Sequence, residues 1–235
     1  MAQGILYGIG LGPGDPELMT LKAHRLIGAC PVVAYPARPG GPSMARAIAA
    51  GSIAPGVEEI RIDVPMTPER APAQAAYDAG AERVAVALGA GRDVALLCEG
   101  DPLLYGSFMY LHARLAPRFH CEVVPGVSSV AACAALAGRP VAARNEVFTV
   151  LPAPLPGPAL RAAVAAADSL AILKIGRHLA RVRDLLTQMG LAERAVYVER
   201  AGHPDGRALP LSEAPEAAPY FSMILLRKGG DPWLG

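Results

Sequence analysis

Short apolar runs alternate with helical segments along almost the whole chain, and this pattern most constrains the fold. Residues 5–9, 32–35 and 94–98 are apolar runs of strand length, and each precedes a segment with helical signals. Residues 170–175 and 195–199 continue the pattern in the second half of the chain. Strands that alternate with helices are typical of a parallel sheet covered by those helices. The sequence therefore predicts an α/β protein.

The two halves of the chain have similar patterns and meet near Ala116, Pro117 and Arg118. We expect an N-terminal α/β domain over residues 1–116 and a C-terminal α/β domain over residues 117–235. A cleft between two such domains is a natural place for a ligand.

Composition and charge exclude several classes of partner. The 22 Lys and Arg residues and the 21 Asp and Glu residues leave a net charge of +1, which creates no field that attracts nucleic acid. No apolar stretch approaches the roughly 18 residues of a membrane span, and residues 1–4 lack the features of a signal peptide. We expect a cytoplasmic protein with no nucleic-acid partner and no membrane partner.

The cysteines and histidines are scattered along the chain. The four cysteines form no Cys-x-x-Cys pair, and the five histidines show no spacing typical of a metal site. We expect reduced thiols in the core and no bound metal.

Residues 8–15, Gly-Ile-Gly-Leu-Gly-Pro-Gly-Asp, form a glycine-rich loop between a predicted strand and a predicted helix. Phosphate-binding loops occupy this place in many folds. The positions that require the third glycine of a dinucleotide fingerprint hold Pro13 or Asp15, and the strand over residues 32–35 ends in Pro36 without the acid that holds a ribose hydroxyl. These departures argue against a dehydrogenase or an ordinary methyltransferase fold. A tight turn capped by Asp15 is the structural alternative.

Two more loops follow predicted strands, over residues 99–106 and 125–129. Polar residues after a strand of an open α/β sheet are well placed for ligand contact. Gly100 permits close backbone approach, and either Ser128 or Ser129 can cap the next helix. Taken alone, each of these loops also fits a simple capped turn.

Together, the three loops resemble the tetrapyrrole methylase family, whose S-adenosylmethionine (SAM) dependent enzymes methylate the corrin precursor ring. The resemblance covers essentially the whole chain. It is carried, in order, by Gly12-Pro13-Gly14-Asp15 with residues 18–23, Gly100-Asp101-Pro102, residues 124–129, residues 173–177 and residues 197–201. Residues 97–111, Pro65-Met66 and Tyr77-Asp78 look most like the C20-methyltransferases that act on precorrin-2. Uroporphyrinogen methylases usually have Gly-Gly-Asp where this chain has Glu99-Gly100-Asp101.

The resemblance implies two α/β domains with SAM in the cleft between them, in a homodimer. The positions that match the family's cofactor contacts are Pro13, Glu99, Gly100, Asp101, Leu104, Ser128, Ser129, Ile175 and Ala201. Glu99 and Ala201 stand where relatives often have glycine.

The implied reaction is an in-line methyl transfer to C20 of precorrin-2, which gives precorrin-3A in cobalamin biosynthesis. A proton must leave C20 afterwards, and the candidate catalytic residues are Asp15, Asp101 and Tyr105, with Glu99 also a candidate acceptor. The substrate carries several carboxylates, which basic side chains bind well. The candidate substrate-binding residues are Arg38, Arg46, Arg144, Arg177 and His178.

Other interpretations stay open at the level of sequence. The substrate can be the cobalt complex of precorrin-2, or the chain can be another corrin-ring methylase. A tetrapyrrole-binding protein without catalytic activity is the alternative from a different class.

Overall fold

A computed structural model describes residues 2–67 and 69–229 of the chain, which divides into two compact units after Ser128. The first unit contains β1 (Leu6–Gly10), α1 (Leu21–Ala29), β2 (Val32–Ala37), α2 (Met44–Ile48), β3 (Glu58–Asp63), α3 (Arg70–Gly89), β4 (Val94–Cys98), α4 (Phe108–Leu115) and β5 (Cys121–Val124). The second unit contains α5 (Ser129–Ala137), β6 (Phe148–Pro152), α6 (Gly157–Ala166), β7 (Ser169–Leu173), α7 (Leu179–Gln188), β8 (Ala195–Glu199), β9 (Arg207–Pro210) and β10 (Ser222–Arg227).

The first unit is built on a parallel sheet with the strand order β3-β2-β4-β1-β5. Helices α3 and α4 bury apolar side chains such as Leu88 and Leu111 against one face of the sheet. Helices α1 and α2 bury Ile27 and Ile48 against the other face. Burial on both faces explains why the strands have continuous apolar sequences.

The second unit has a mixed sheet with the order β6-β7-β10-β8-β9. Strands β6 and β7 are parallel, whereas β10 is antiparallel to both β7 and β8. Helices α6 and α7 pack on one face, around Leu160 and Val182, and α5 packs on the other, around Cys133. The predicted α/β class is confirmed in both units.

The division between the units follows from strand pairing. We expected it at residues 116–117, but β5 pairs with β1 along Leu6–Ile9 and so joins the first sheet. The chain therefore completes the first sheet before the second unit begins, and the division lies after Ser128.

Three elements of the structure differ from what the sequence indicates. The single helix expected over residues 16–27 is a 3₁₀ turn at Pro16–Leu18 followed by α1, because the Thr20 hydroxyl accepts the Ala23 N–H at 3.1 Å and starts a new helix. Strands β3 and β9 were not expected. Both carry alternating or exposed polar residues, which hide the apolar signal of an edge strand.

Pro36 lies inside β2, where the sequence indicated a loop. Strand β2 pairs with β3 as far as Ala37, but its pairing with β4 ends at Ala34. Proline has no N–H to continue a ladder. The Pro36 carbonyl instead accepts the Ser43 hydroxyl at 2.6 Å, and the same hydroxyl caps α2 by accepting the Arg46 N–H.

Candidate functional site

Three loops lie side by side at the carboxyl ends of the strands of the first sheet. This end of the sheet is its carboxyl edge. The loops are the first loop (residues 11–15, after β1), the second loop (residues 99–106, after β4) and the third loop (residues 125–128, after β5). Because β4, β1 and β5 are adjacent and parallel, their carboxyl ends meet at this edge. These are the three loops on which the sequence-based functional hypothesis rests.

The first and second loops are joined by backbone hydrogen bonds. The Gly100 N–H donates to the Gly12 carbonyl at 2.7 Å, and the Gly12 N–H donates to the Gly100 carbonyl at 3.3 Å. Both glycines have positive φ angles, of 79° and 66°. In the described part of the chain, a Cβ on Gly100 would meet no atom within 4 Å, so this backbone faces open space.

The third loop approaches the other two so closely that only glycine fits. A Cβ on Gly10 would lie 2.5 Å from the Gly126 nitrogen. A Cβ on Gly126 would overlap the Gly100 carbonyl oxygen and lie 2.9 Å from the Gly10 Cα. Gly10, Gly100 and Gly126 thus pack backbone against backbone.

Asp101 links the second loop to the third. Its Oδ1 accepts the Leu103 N–H at 2.9 Å, and its Oδ2 accepts the Gly126 N–H at 3.1 Å. Both carboxylate oxygens are therefore used to fix backbone positions. This geometry makes Asp101 a positioning residue for the loops.

The other two candidate catalytic residues, Asp15 and Tyr105, have different surroundings. The Asp15 Oδ1 accepts the Glu17 N–H at 2.9 Å and caps the 3₁₀ turn, as the sequence predicted. Tyr105 is 45% exposed and has a φ of 57°, while its neighbour Leu104 is 41% exposed. The second loop thus presents an apolar surface beside its polar backbone. Pro13 is half-buried in the first loop.

Glu99 directly follows Cys98, the last residue of β4. The backbone N–H of Ala45, at the start of α2, and the charge of Arg38 both favour the ionised form of the Glu99 carboxyl group. Burial raises the pKa of the Glu99 carboxyl above its ordinary value, and the Ala45 N–H and the Arg38 charge oppose this rise only in part.

The two candidate arginines in the first unit differ in their partners. Arg46 forms a bidentate ion pair with Glu59, in which Nε lies 3.2 Å from Oε2 and NH2 lies 2.9 Å from Oε1. This pair lowers the pKa of Glu59. Arg38 is exposed after the end of β2, beside Glu99. Of the two, Arg38 lies at the edge that carries the three loops.

In the second unit, the two candidate cofactor residues follow β7 and β8. Ile175 and Ala201 are buried, and each comes directly after a non-glycine residue with positive φ: Lys174 at 57° and Arg200 at 51°. Strands β7 and β8 run in the same direction, so both segments lie at one edge of the second sheet. Strained backbone of this kind clusters at functional sites. Sequence reasoning missed it, because neither Lys nor Arg signals a left-handed conformation.

The remaining candidates of the second unit are basic or begin α5. Arg177 and His178 lie in a 3₁₀ turn after Ile175, and burial together with the charges of Arg177 and Arg181 lowers the pKa of His178. Arg144 is exposed with a φ of 47°. Ser129 is the first residue of α5, and Ser128, the last residue of the first unit, precedes it.

Metal-binding clusters and membrane-spanning helices are absent from the described residues, 2–67 and 69–229. These residues contain no group of three or more His, Cys, Asp or Glu side chains that would hold a metal ion. Their helices include none that is long and apolar enough to cross a membrane. All four cysteines are free thiols, and burial raises the pKa of Cys30 and of Cys133 to about 12.

Comparison with known families gives a match over most of the chain. Residues 5–215 match the model of the Tetrapyrrole (Corrin/Porphyrin) Methylases. This span includes the three loops and both irregular segments of the second unit.

Individual relatives extend this match. The chain is 46% identical to "Cobalamin biosynthesis protein CobIJ" of Mycobacterium tuberculosis over 97% of this chain, but it spans only 47% of that longer protein. It is 41% identical to the "Precorrin-2 C(20)-methyltransferase" of a Sinorhizobium species, over 95% of both chains. Among solved structures, uroporphyrin-III C-methyltransferase from Thermus thermophilus in complex with S-adenosyl homocysteine is 28% identical, has a TM-score of 0.69, and is matched over 96% of this chain and 92% of that one.

Proposed function

Because the chain belongs to the tetrapyrrole (corrin/porphyrin) methylases, we propose that it methylates C20 of precorrin-2 with SAM as methyl donor and yields precorrin-3A. The observation that carries this proposal is the 41% identity to a precorrin-2 C20-methyltransferase over 95% of both chains. Cobalamin biosynthesis, the process for which the M. tuberculosis relative is named, is the corresponding pathway.

The residues of the first unit fit the chemistry of SAM. The cofactor supplies an electrophilic methyl group on a sulfonium centre, and it carries an ammonium group and an adenine ring. Carboxylates favour the positive groups, while apolar side chains and backbone hydrogen-bonding groups suit adenine. The open backbone face at Gly100, the carboxyl of Glu99 and the exposed apolar side chain of Leu104 provide these environments.

The proposed cofactor-binding residues are those matched by sequence. In the first unit they are Pro13, Glu99, Gly100, Asp101, Leu104 and Ser128. In the second unit they are Ser129, Ile175 and Ala201. In this proposal Asp101 acts through the backbone it holds, since both of its carboxylate oxygens accept N–H groups. Asp15 and Tyr105 remain proposed catalytic residues, because Asp15 lies in the first loop and Tyr105 lies in the second.

The substrate carboxylates require cations. Arg38 is best placed for this role in the first unit, because it is exposed beside the second loop. Arg144 and Arg177 are the proposed carboxylate-binding residues of the second unit, and His178 adds charge there when protonated. Arg46 is already engaged by Glu59 and would have to exchange that partner for substrate. We assign the main contribution in the first unit to Arg38.

The direct experiment uses precorrin-2 and SAM labelled with carbon-13 in the methyl group. The proposal predicts one labelled methyl per product molecule, attached at C20 and detected by carbon-13 NMR. A label at a peripheral pyrrole carbon would contradict the C20 assignment but leave the family assignment intact. A parallel incubation with the cobalt complex of precorrin-2 distinguishes the two substrate forms by their rates.

The principal alternative, a tetrapyrrole carrier, makes a different prediction. A carrier has no reason to bind a methyl donor, so calorimetry with SAM and S-adenosylhomocysteine separates it from an enzyme. The proposed enzyme binds both compounds after exhaustive chelation, because the proposal requires no metal. A cytoplasmic homodimer is part of the same proposal, and sedimentation of the purified chain tests its oligomeric state.

A further inference from the structure

The segment before β10 lies at the same end of the second sheet as the two irregular turns. Strand β10 lies between β7 and β8 and runs antiparallel to both, so its first residues are at the carboxyl ends of those strands. The Arg200 N–H, in the turn after β8, donates to the Phe221 carbonyl at 2.8 Å. Residues 219–221 are therefore fixed beside the turn that carries Ala201.

Three rings form an aromatic row at this place, made of His203, Phe221 and Tyr220. His203 stacks on Phe221, with ring centroids 5.8 Å apart and an interplanar angle of 28°. Tyr220 meets Phe221 edge to face, with centroids 5.0 Å apart and an angle of 83°. Both arrangements are favourable for aromatic pairs. The row runs from the half-buried His203 to Tyr220, which is 61% exposed.

The backbone holds the exposed ring of Tyr220 in place. Pro219 precedes it and has a restricted φ angle. The Ser222 hydroxyl donates to the Pro219 carbonyl at 2.6 Å, and the Ser222 N–H donates to the Tyr220 carbonyl at 3.1 Å. An aromatic side chain on a fixed backbone offers a large contact area and loses little conformational freedom when it binds a ligand.

Exposed cations lie on both sides of the aromatic row. Lys174 follows β7 and Arg200 follows β8, the two strands that flank β10. Arg177 is exposed in the 3₁₀ turn after Ile175, and Arg200 pairs with the exposed carboxylate of Asp205. This end of the sheet thus combines an exposed apolar ring with basic side chains to either side of it.

We infer that Tyr220 contacts the face of the tetrapyrrole ring of the substrate, an inference that rests on the function proposed above. Precorrin-2 is a wide, partly conjugated ring with apolar faces and carboxylate arms at its rim. The ring of Tyr220 suits such a face, and the flanking cations suit the arms. The adenine ring of SAM carries no anionic arm, so the cations favour the substrate as the occupant. Tyr220 is then a substrate-binding residue of the second unit.

Three variants separate the ring of Tyr220 from its hydroxyl and from exposed apolar surface in general. Tyr220→Ala removes the ring, whereas Tyr220→Phe keeps the ring and removes only the hydroxyl. Val147→Ala is the matched control, because Val147 is 59% exposed and precedes β6, at the opposite end of the same sheet. None of these changes alters the charge of the chain.

The test measures substrate binding without methyl transfer. Precorrin-2 is titrated with protein that is saturated with S-adenosylhomocysteine, and the absorbance of the tetrapyrrole reports the bound fraction. We expect the dissociation constant of precorrin-2 to rise about tenfold in Tyr220→Ala and to stay within about twofold of wild type in Tyr220→Phe and Val147→Ala. Salt should weaken binding to wild type and to Tyr220→Ala by the same factor, because the cations are unchanged.

Turnover and cofactor binding complete the test. We expect the KM for precorrin-2 to rise about tenfold in Tyr220→Ala with kcat within about twofold, because contact with the ring face is the same before and during methyl transfer. The affinity for S-adenosylhomocysteine alone, measured by calorimetry, should stay within about twofold in all three variants.

Four results would overturn the inference. They are wild-type affinity for precorrin-2 in Tyr220→Ala, an equal loss of affinity in Tyr220→Phe, an equal loss of affinity for S-adenosylhomocysteine, and a changed oligomeric state of Tyr220→Ala in sedimentation. The second result would assign binding to the hydroxyl, the third would assign the ring to the cofactor, and the fourth would assign it to contact with a second copy of the chain.

A measurement on the wild type decides if Tyr220→Ala does not fold. Bound precorrin-2 should show nuclear Overhauser effects to the Tyr220 ring protons, and their absence would contradict the contact. A wild-type protein that neither binds nor methylates precorrin-2 contradicts the proposed function. A wild-type protein that methylates C20, together with a Tyr220→Ala variant of equal KM, contradicts only the role of Tyr220.

Discussion

Each unit places a glutamate at the carboxyl end of a buried strand, and the two glutamates have contrasting partners. Glu99 follows β4 and has a raised pKa, with the Ala45 N–H and the charge of Arg38 as its compensation. Glu199 ends β8, is 7% exposed, accepts the Tyr197 hydroxyl at 2.5 Å and pairs with the Arg207 Nε at 2.6 Å. The second carboxylate is fully engaged in structure. Burial dominates the surroundings of the first and raises its proton affinity.

The two units also differ in which residues form the irregular turns after their strands. In the first unit, glycines allow three loops to pack against each other. In the second unit, β10 separates β7 from β8, and the irregular turns after those strands use Lys174 and Arg200 at positive φ. A parallel sheet brings successive loops into contact, so small residues are required there. A mixed sheet keeps the loops apart and tolerates larger residues under strain.

The largest expected effect tests the glutamate that is engaged in structure. Glu199→Ala removes the acceptor of the buried Tyr197 hydroxyl and the partner of Arg207. We expect a loss of about 3 kcal/mol in the free energy of unfolding at pH 7, measured by urea denaturation. Glu213→Ala, at an exposed acid of the same unit, is the control and should change stability by less than about 0.5 kcal/mol.

The glycine packing of the first unit predicts an unequal pair of variants. Gly126→Ala places a Cβ against the Gly100 carbonyl and the Gly10 backbone, so we expect a loss of about 2–3 kcal/mol. Gly100→Ala meets open space and bears only the cost of its positive φ, about 1 kcal/mol. If urea denaturation showed equal losses of unfolding free energy for the two variants, the close backbone contact would not be the reason for glycine at position 126.

Asp101 connects this packing to the cofactor. Asp101→Asn keeps one acceptor oxygen but turns an NH2 group toward the second backbone donor, which loosens the link to Gly126. We expect the dissociation constant of S-adenosylhomocysteine to rise about tenfold, equivalent to about 1.4 kcal/mol, in calorimetry. Asp78→Asn on α3 is the control. Wild-type affinity in Asp101→Asn would mean that the link does not shape the cofactor site.

Strain in the second unit is tested at Lys174. Lys174→Gly and Lys174→Ala remove the same side chain, so their difference isolates the cost of a φ of 57°. We expect the glycine variant to be more stable by about 1 kcal/mol in urea denaturation, the reverse of their order in a helix. A more stable alanine variant would contradict the left-handed conformation.

The smallest expected effect concerns the pH dependence of Glu99. Because its pKa is raised by folding, the folded state binds more protons than the unfolded state above the unfolded pKa of Glu. The wild type therefore loses stability as pH rises from the unfolded-state pKa of Glu to the raised folded-state pKa of Glu99. Above the raised pKa this loss of stability is complete. We expect Glu99→Gln to melt at a higher temperature than wild type at pH 8, with a smaller difference at pH 4. A difference that does not change with pH would contradict the raised pKa.

The sequence predicted well where one physical signal dominated. The strand over residues 94–98 was predicted with its observed limits, because a strand buried on both faces is apolar throughout. Asp15 was recognised as a cap, because it precedes the first residue of a helical turn and offers a side-chain acceptor. Each of the three loops was expected after a strand, but only the observed strand order β4-β1-β5 shows that they lie side by side.

Sequence reasoning failed where the decisive contact is distant along the chain. The link from Asp101 to Gly126 spans 25 positions, and no local pattern indicates it. The raised pKa of Glu99 depends on burial beside α2. Strand β3, Glu-Glu-Ile-Arg-Ile-Asp, looks like a polar segment because it lies at the edge of its sheet. These features require tertiary structure.

Pro36 extends its influence well beyond β2. Any other residue at this place would have a backbone N–H that could form one more hydrogen bond with β4. Proline lacks this N–H, and its carbonyl oxygen accepts a hydrogen bond from the Ser43 hydroxyl. The helix that Ser43 caps also contains Ala45, whose backbone N–H favours the ionised form of Glu99. Pro36 therefore lies where pairing with β4 has ended and where its carbonyl oxygen fixes the start of a helix instead of extending the sheet.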